Sequence, residues 1–77
     1  VHIVLVPKTH VTDVADAARL DDATLAALTR AIGKIAAQEG LRDGFRVVSN
    51  CGPHACQSVP HFHIHLLGGA QLADKMA

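Results

Sequence analysis

His61-Phe62-His63-Ile64-His65-Leu66-Leu67 (HFHIHLL, residues 61–67) alternates histidine with apolar residues, and this alternation decides the fold. Successive side chains of a β-strand lie on opposite faces of a sheet. The pattern therefore predicts a strand over 61–67, with the histidines on one face and the apolar side chains in the core. The glycine pair at 68–69 is expected to end this strand.

Two further strands are predicted upstream of this stretch. Residues 2–6 (HIVLV) form a β-branched and apolar run that Pro7 ends, as in a buried strand. Residues 45–49 (FRVVS) follow a turn and have the pattern of another strand. Because only the polar loop 50–58 (NCGPHACQS) separates this strand from the last one, the two are expected to pair antiparallel.

One long helix is predicted over residues 21–39, with Asp21 or Asp22 as its cap and Gly40 as the left-handed residue after its end. Gly33 in its interior favours close packing at that point, and residues 12–20 fit either a helix or turns. The fold class predicted is α+β, a small antiparallel sheet with one main helix on one face. The helix would pack through one apolar stripe, formed by Leu25, Leu28, Ile32 and Ile35.

Composition limits the chain to one small domain without charge bias. It has 77 residues, 49% of them hydrophobic, and so short a chain is marginally stable alone. Seven basic and seven acidic residues cancel, so no nucleic-acid partner is predicted. The sequence shows no secretory segment or long apolar run, so neither export nor a membrane partner is expected. Cys51 and Cys56 share one predicted loop and are expected to be free thiols, which favours the cytoplasm.

Three histidines on one strand face admit three interpretations. The first is the solvated polar face of a half-buried strand. The second is a metal site, to which His54, Cys51 or Cys56 could contribute. Against it, histidines at alternate positions from 61 to 65 span about 13 Å, too far for one ion to contact all of them.

The third interpretation is a histidine nucleophile with supporting groups, and we favour it. His63, the central ring, can attack a phosphoryl or nucleotidyl group if its attacking nitrogen is neutral and the other nitrogen is held. His65, Ser58 and Gln57 can then donate to the phosphate oxygens and the leaving group. This chemistry requires no metal and no cofactor.

Residues 57–69 (QSVPHFHIHLLGG) resemble the signature of the histidine-triad (HIT) superfamily, His-x-His-x-His followed by apolar residues. The Gln-Ser-Val before it and the Gly-Gly after it look like the Hint branch, the nucleoside phosphoramidases. Residues 4–10 (VLVPKTH) resemble that branch's apolar strand followed by Pro-Lys and His, and residues 44–50 (GFRVVSN) resemble the strand that leads to its active-site Asn. The resemblance therefore runs in order from residue 1 to about residue 69, which is more specific than one short motif.

The resemblance implies a set of site residues. The middle histidine of the family's motif, here His63, is the nucleophile that forms a covalent nucleotidyl-histidine, and His65 contacts the phosphate and the leaving group. The supporting site histidines would be His61 and His10. The residues implied in binding the nucleotide or its phosphate, besides His63 and His65, are Asn50, Gln57 and Ser58.

The function implied by the resemblance is hydrolysis of purine nucleoside 5′-phosphoramidates or adenylylated amines. An AMP-like purine nucleotide would be the partner, and the chain would form a homodimer with a five-stranded sheet. A dinucleoside polyphosphate hydrolase, or a nucleotide-binding or interaction module with little turnover, is the alternative. A uridylyltransferase is disfavoured, because that branch has Gln at the position of His65.

Three departures from the family pattern lead to further expectations. The chain begins at Val1 with a strand pattern, so we expect an N-terminally incomplete HIT-like domain over 1–69 and an open base end of the nucleoside pocket. Cys56 stands where Hint-like sequences usually have Gly, and it is expected to tighten the loop over the phosphate. The family's Trp-containing end is replaced by 70–77, expected to be a C-terminal tail.

Overall fold

The computed structural model describes residues 1–74 of the chain. Three strands form one sheet: β1 (His2–Leu5), β2 (Phe45–Val48) and β3 (Ile64–Gly68). Their order is β1-β3-β2, and β3 pairs antiparallel with both neighbours. With the single long helix α1 (Asp22–Gln38), this confirms the predicted α+β class.

The central strand β3 begins later than the sequence indicated. The predicted start at His61 is wrong, because the backbone before Ile64 is bonded to loops and not to a strand. The Phe62 amide donates to the Val11 carbonyl at 2.7 Å, and the Ser49 hydroxyl donates to the His63 carbonyl at 2.7 Å. The predicted alternation nevertheless persists through 61–66, where the apolar residues are buried and the histidines half-buried.

The ends of helix α1 follow the sequence signals. The Asp21 side chain accepts a hydrogen bond from the Thr24 amide at 2.8 Å and caps the helix. Gly40 has a φ of 69°, the left-handed conformation expected just beyond a helix end. The close packing predicted at Gly33 is wrong, because a Cβ placed there has nothing within 4 Å.

The core lies between α1 and one face of the sheet. Leu5, Ile64 and Leu66 project from the sheet into it, and Leu66 is fully buried. The predicted helix stripe packs against this core with partly buried side chains, Leu25, Leu28, Ile32 and Ile35. The segment between β1 and α1, whose structure the sequence left open, forms a 3₁₀ turn over Asp16–Arg19 and adds the buried residues Val11 and Leu20.

The remaining segments are short. A second 3₁₀ turn, Pro53–Ala55, lies in the loop between β2 and β3. The expected tail lies partly outside the described residues, which end at 74, and its nearer part is tied to β2 by the Arg46 guanidinium, which donates to the Ala73 carbonyl at 2.6 Å. Within residues 1–74, no helix has both the length and the apolar character needed to cross a membrane.

Candidate active site: the histidine face of the sheet

The face of the sheet turned away from α1 carries the candidate site. In an antiparallel pair, residues directly opposite one another lie on the same face. Val4 of β1 and Val48 of β2 both lie opposite His65, and Leu67 lies opposite His2. The predicted triad therefore shares its face with His2 and Val4, on the side without the core.

His63 is held by a hydrogen bond to its own chain. Its Nδ1 lies 2.8 Å from the His61 carbonyl oxygen, and a carbonyl can only accept, so Nδ1 must carry the proton. In the neutral ring the lone pair then lies on Nε2. The geometry thus supplies the neutral nitrogen, oriented through the other nitrogen, that a histidine nucleophile requires.

His61 and His10 form a second fixed arrangement. The Nε2 of His61 lies 3.2 Å from the Pro7 carbonyl and donates to it. When His61 is neutral, its Nδ1 therefore accepts a hydrogen bond from the Nδ1–H of His10, at 2.9 Å. His10 is exposed, and its contact with the site is this hydrogen bond to His61.

His65 contacts two other imidazoles. Its ring centroid lies 4.9 Å from that of His63 at an interplanar angle of 80°. Its Nδ1 lies 2.8 Å from the Nε2 of His2. Burial lowers the pKa of His65 below its ordinary value, and positive charge on His63 and His2 lowers it further. These effects favour the neutral form of His65 over its charged form, relative to a histidine in water.

His2 was missed as a site residue in the sequence. The signal was present, because His2 and Val4 occupy the alternate positions of β1 that face away from the core. The sequence does not reveal the pairing register of β1 with β3, and this register brings the start of β1 beside His65. Without the partner strand, an exposed histidine near the start of the chain has no distinguishing feature.

A cleft of about 470 Å³ lies over this face. It is lined by the triad histidines and by residues of β1, of its continuation and of the loop after β2. Six predicted site residues meet there, whereas His10 lies outside the lining. The lining residues are Val4, Val6, Asn50, Cys56, Gln57, Ser58, Val59, His61, His63 and His65.

The loop that carries the phosphate-binding candidates is braced by Gln57. Its Oε1 accepts from the Gly52 amide at 2.8 Å, and its Nε2 donates to the carbonyls of Thr12 at 2.8 Å and Val59 at 3.0 Å. In this structure Gln57 therefore shapes the cleft wall, and the direct phosphate contact predicted for it stays a prediction. Asn50 and Ser58 line the same wall.

Cys56 has the one positive φ among the described non-glycine residues, at 61°. This left-handed conformation is one that Gly, the residue expected here from the resemblance, adopts without strain. The thiol lines the cleft. Cys56 and Cys51 are both free, as the sequence predicted.

A metal centre receives no support from this geometry. No group of three or more His, Cys, Asp or Glu side chains within residues 1–74 is arranged to hold an ion. The imidazole nitrogens bond to carbonyls and to one another instead. The arrangement can orient one histidine for attack and place a second, neutral histidine beside it.

Comparison with known proteins agrees with the geometry. The HIT domain family model matches residues 1–72. The chain belongs to the HIT domain family.

Two relatives and one solved structure illustrate the likeness. The chain is 47% identical to a 14 kDa zinc-binding protein of Zea mays over 92% of its own length and 57% of that protein. It is 36% identical to the purine nucleoside phosphoramidase of Escherichia coli K12, over 99% of its length and 65% of the relative. A HIT family hydrolase from Legionella pneumophila superposes with a TM-score of 0.86 at 36% identity, over 95% of this chain and 66% of that one. The chain thus spans less than two thirds of the length of these relatives.

Proposed function

We propose that this chain hydrolyses purine nucleoside 5′-phosphoramidates or adenylylated amines, with His63 as the nucleophile. The observation that carries the proposal is the hydrogen bond from His63 Nδ1 to the His61 carbonyl. It leaves the Nε2 lone pair free in a ring that lines the cleft. The choice of substrate class is supported by the Escherichia coli relative, which is named a purine nucleoside phosphoramidase.

The first chemical step forms a bond between His63 Nε2 and the α-phosphorus, while the phosphorus–nitrogen bond to the amine breaks. The ring of His63 becomes positively charged, and its Nδ1–H keeps its bond to the His61 carbonyl, which stabilises that charge. The leaving amine needs a proton. His65, whose centroid lies 4.9 Å from that of His63, is the neighbouring ring that can donate one: its protonated form gives the proton to the amine and returns to the neutral ring.

In the second step water attacks the phosphorus, the neutral His65 takes up the proton of that water, and the bond to Nε2 breaks. The products are a nucleoside monophosphate and a neutral His63 ring. The Ser58 hydroxyl and the Asn50 amide, both in the cleft wall, can donate to the phosphate oxygens. The valines of the cleft, Val4, Val6 and Val59, offer apolar surface to a base or to the organic part of an amine.

Turnover of an adenosine 5′-phosphoramidate tests this proposal. The wild-type chain should release AMP, and His63→Ala should reduce kcat by about a thousandfold or more, the scale of losing a nucleophile. His54→Ala is the matched control, because His54 is an exposed histidine of the 3₁₀ turn outside the cleft lining. If the wild-type chain binds AMP but does not turn over the phosphoramidate, the proposed hydrolase activity is wrong and the chain is a nucleotide-binding module.

A further inference from the structure

We propose that Ser49 is a positioning residue, whose hydroxyl fixes the main chain at His63 and thereby keeps the attacking Nε2 in line with the phosphorus. The inference rests on the proposed function, because it takes His63 as the nucleophile. Ser49 directly follows β2 and is not among the residues that line the cleft. The basis of the inference is the bond that the Ser49 hydroxyl donates to the His63 carbonyl, at 2.7 Å.

This bond lies where the pairing of β2 with β3 ends. The last residue pair of the two strands is Val48 and His65, and β3 begins at Ile64, so His63 belongs to no strand. Within a sheet, hydrogen bonds between neighbouring strands hold the main chain. Just beyond the paired residues, the side chain of Ser49 holds the His63 carbonyl instead.

The main chain on the other side of His63 is held as well. The Phe62 amide donates to the carbonyl of Val11 at 2.7 Å, and Val11 is buried in the core. The ring of His63 is held through Nδ1, which lies 2.8 Å from the His61 carbonyl oxygen. The Ser49 bond therefore ties this segment to the β2 side of the sheet, as the Val11 bond ties it to the segment after β1.

A small displacement of His63 is costly, because attack on phosphorus must be in line. A misplacement of about 1 Å can lower a rate by about a hundredfold. Loss of the Ser49 hydroxyl frees the peptide between His63 and Ile64 to rotate, and the His63 ring moves with it. The bond from Nδ1 to the His61 carbonyl depends on the same placement, so the displaced ring populates both neutral tautomers.

The effect should appear in kcat and not in KM. The groups proposed to bind the nucleotide are Asn50, Ser58 and the valines of the cleft, whereas the Ser49 hydroxyl is bonded to the main chain at His63. Its loss therefore leaves substrate binding in place and disturbs the alignment of Nε2 with the bound phosphorus. A residue that only stabilised the fold would leave the kcat of the folded protein unchanged.

The experiment compares wild type with Ser49→Ala, Ser49→Cys and Ser49→Thr, with an adenosine 5′-phosphoramidate as the substrate. Ser49→Ala should lower kcat by about tenfold or more, with KM changed by less than about twofold. Ser49→Cys keeps the size of the side chain but offers only a weak donor, so it should lower kcat in the same way. Ser49→Thr keeps the hydroxyl and should recover most of the loss.

Thr29→Ala is the matched control. The Thr29 hydroxyl also donates to a main-chain carbonyl, that of Leu25 at 3.2 Å, but it does so within α1. Because α1 lies on the other face of the sheet from the cleft, this substitution removes a bond of the same kind without touching the segment before β3. Both kcat and KM should stay at their wild-type values.

Nitrogen NMR of the His63 ring reads its tautomer directly and needs no turnover. The proton should lie on Nδ1 in wild type, Ser49→Thr and Thr29→Ala, whereas both tautomers should be populated in Ser49→Ala. An unchanged kcat or an unchanged tautomer in Ser49→Ala, or a rise in KM alone, would overturn the role of Ser49. If wild type shows no turnover but its ring responds to Ser49→Ala as expected, the proposed function is wrong and the positioning of the ring by Ser49 stands.

Discussion

At the scale of single residues, the site works by assigning each imidazole proton to one nitrogen. Backbone carbonyls make this assignment for His63 and His61, since a carbonyl accepts and never donates. No buried side-chain nitrogen or oxygen within residues 1–74 lacks a hydrogen-bond partner. Each of the three triad histidines thus has a hydrogen-bond partner for at least one ring nitrogen.

The pKa of His65 is the first quantity that this arrangement predicts. Burial and positive charge on His63 and His2 lower it below the ordinary value, so an NMR titration should find a midpoint below about 6.5. In His2→Ala the midpoint should rise, because one of the charges is removed. A midpoint unchanged by this substitution would show that His2 does not act on His65.

The same shift has a defined sign for stability. The unfolded chain binds a proton at His65 more readily than the folded chain does, so folding favours the neutral ring. The free energy of unfolding should therefore fall as the pH drops through the ordinary histidine pKa towards the lowered one. Chemical denaturation at pH 7.5 and 5.5 measures the change, and the decrease should be smaller in His65→Asn.

At the scale of secondary-structure elements, the helix ends illustrate what local sequence determines. Asp21 caps α1 and Gly40 ends it, as the sequence predicted, because both signals act within a few residues. The start of β3 was predicted wrongly because it depends on distant partners. The Phe62 amide bonds to Val11 and the His63 carbonyl to Ser49, contacts that no local pattern reveals.

The face of the triad was predictable from its alternation alone, but its neighbours were not. The site role of His2 requires the β1–β3 register, and the brace made by Gln57 requires the loop conformation. The prediction at Gly33 failed for a different reason. A glycine within a helix was interpreted as a close contact, and the structure shows open space there.

Gly33→Ala should consequently stabilise the protein. The added methyl meets nothing within 4 Å, and Ala is favoured over Gly in a helix interior by about 1 kcal/mol. Gly40→Ala is the matched control, since its φ of 69° strains any residue with a Cβ, and it should destabilise by about 1 kcal/mol. Urea denaturation of the two variants should shift the midpoint in opposite directions, and equal shifts would contradict this account of α1.

At the scale of the whole molecule, β1 and β2 are the two edge strands of the sheet that residues 1–74 form. We propose that two copies pair through β2 to form a homodimer. Phe45 and Val47 of β2 are each 43% exposed, and an uncovered apolar edge strand favours pairing with another chain. The β1 edge adjoins the cleft, since Val4 lines it, so pairing through β2 leaves the site open.

Light scattering at micromolar concentration should therefore report a dimer. Val47→Lys should shift it towards monomer, because an edge lysine opposes strand pairing. Val14→Lys is the control, since Val14 is similarly exposed, at 47%, but lies outside the sheet. A wild-type monomer at all concentrations, or equal effects of the two lysines, would contradict the proposed interface.

The claim on which the whole account depends is that the Nε2 of His63 forms a bond to phosphorus. Rapid quenching of the chain with an adenosine 5′-phosphoramidate in alkaline denaturant, which preserves a phosphorus–nitrogen bond, followed by peptide mass spectrometry, measures this most directly. The account predicts an adenylyl adduct on the peptide that spans 61–65, assigned to His63 by fragmentation and absent in His63→Ala. An adduct on His65 or His10, or one that persists in His63→Ala, would contradict it.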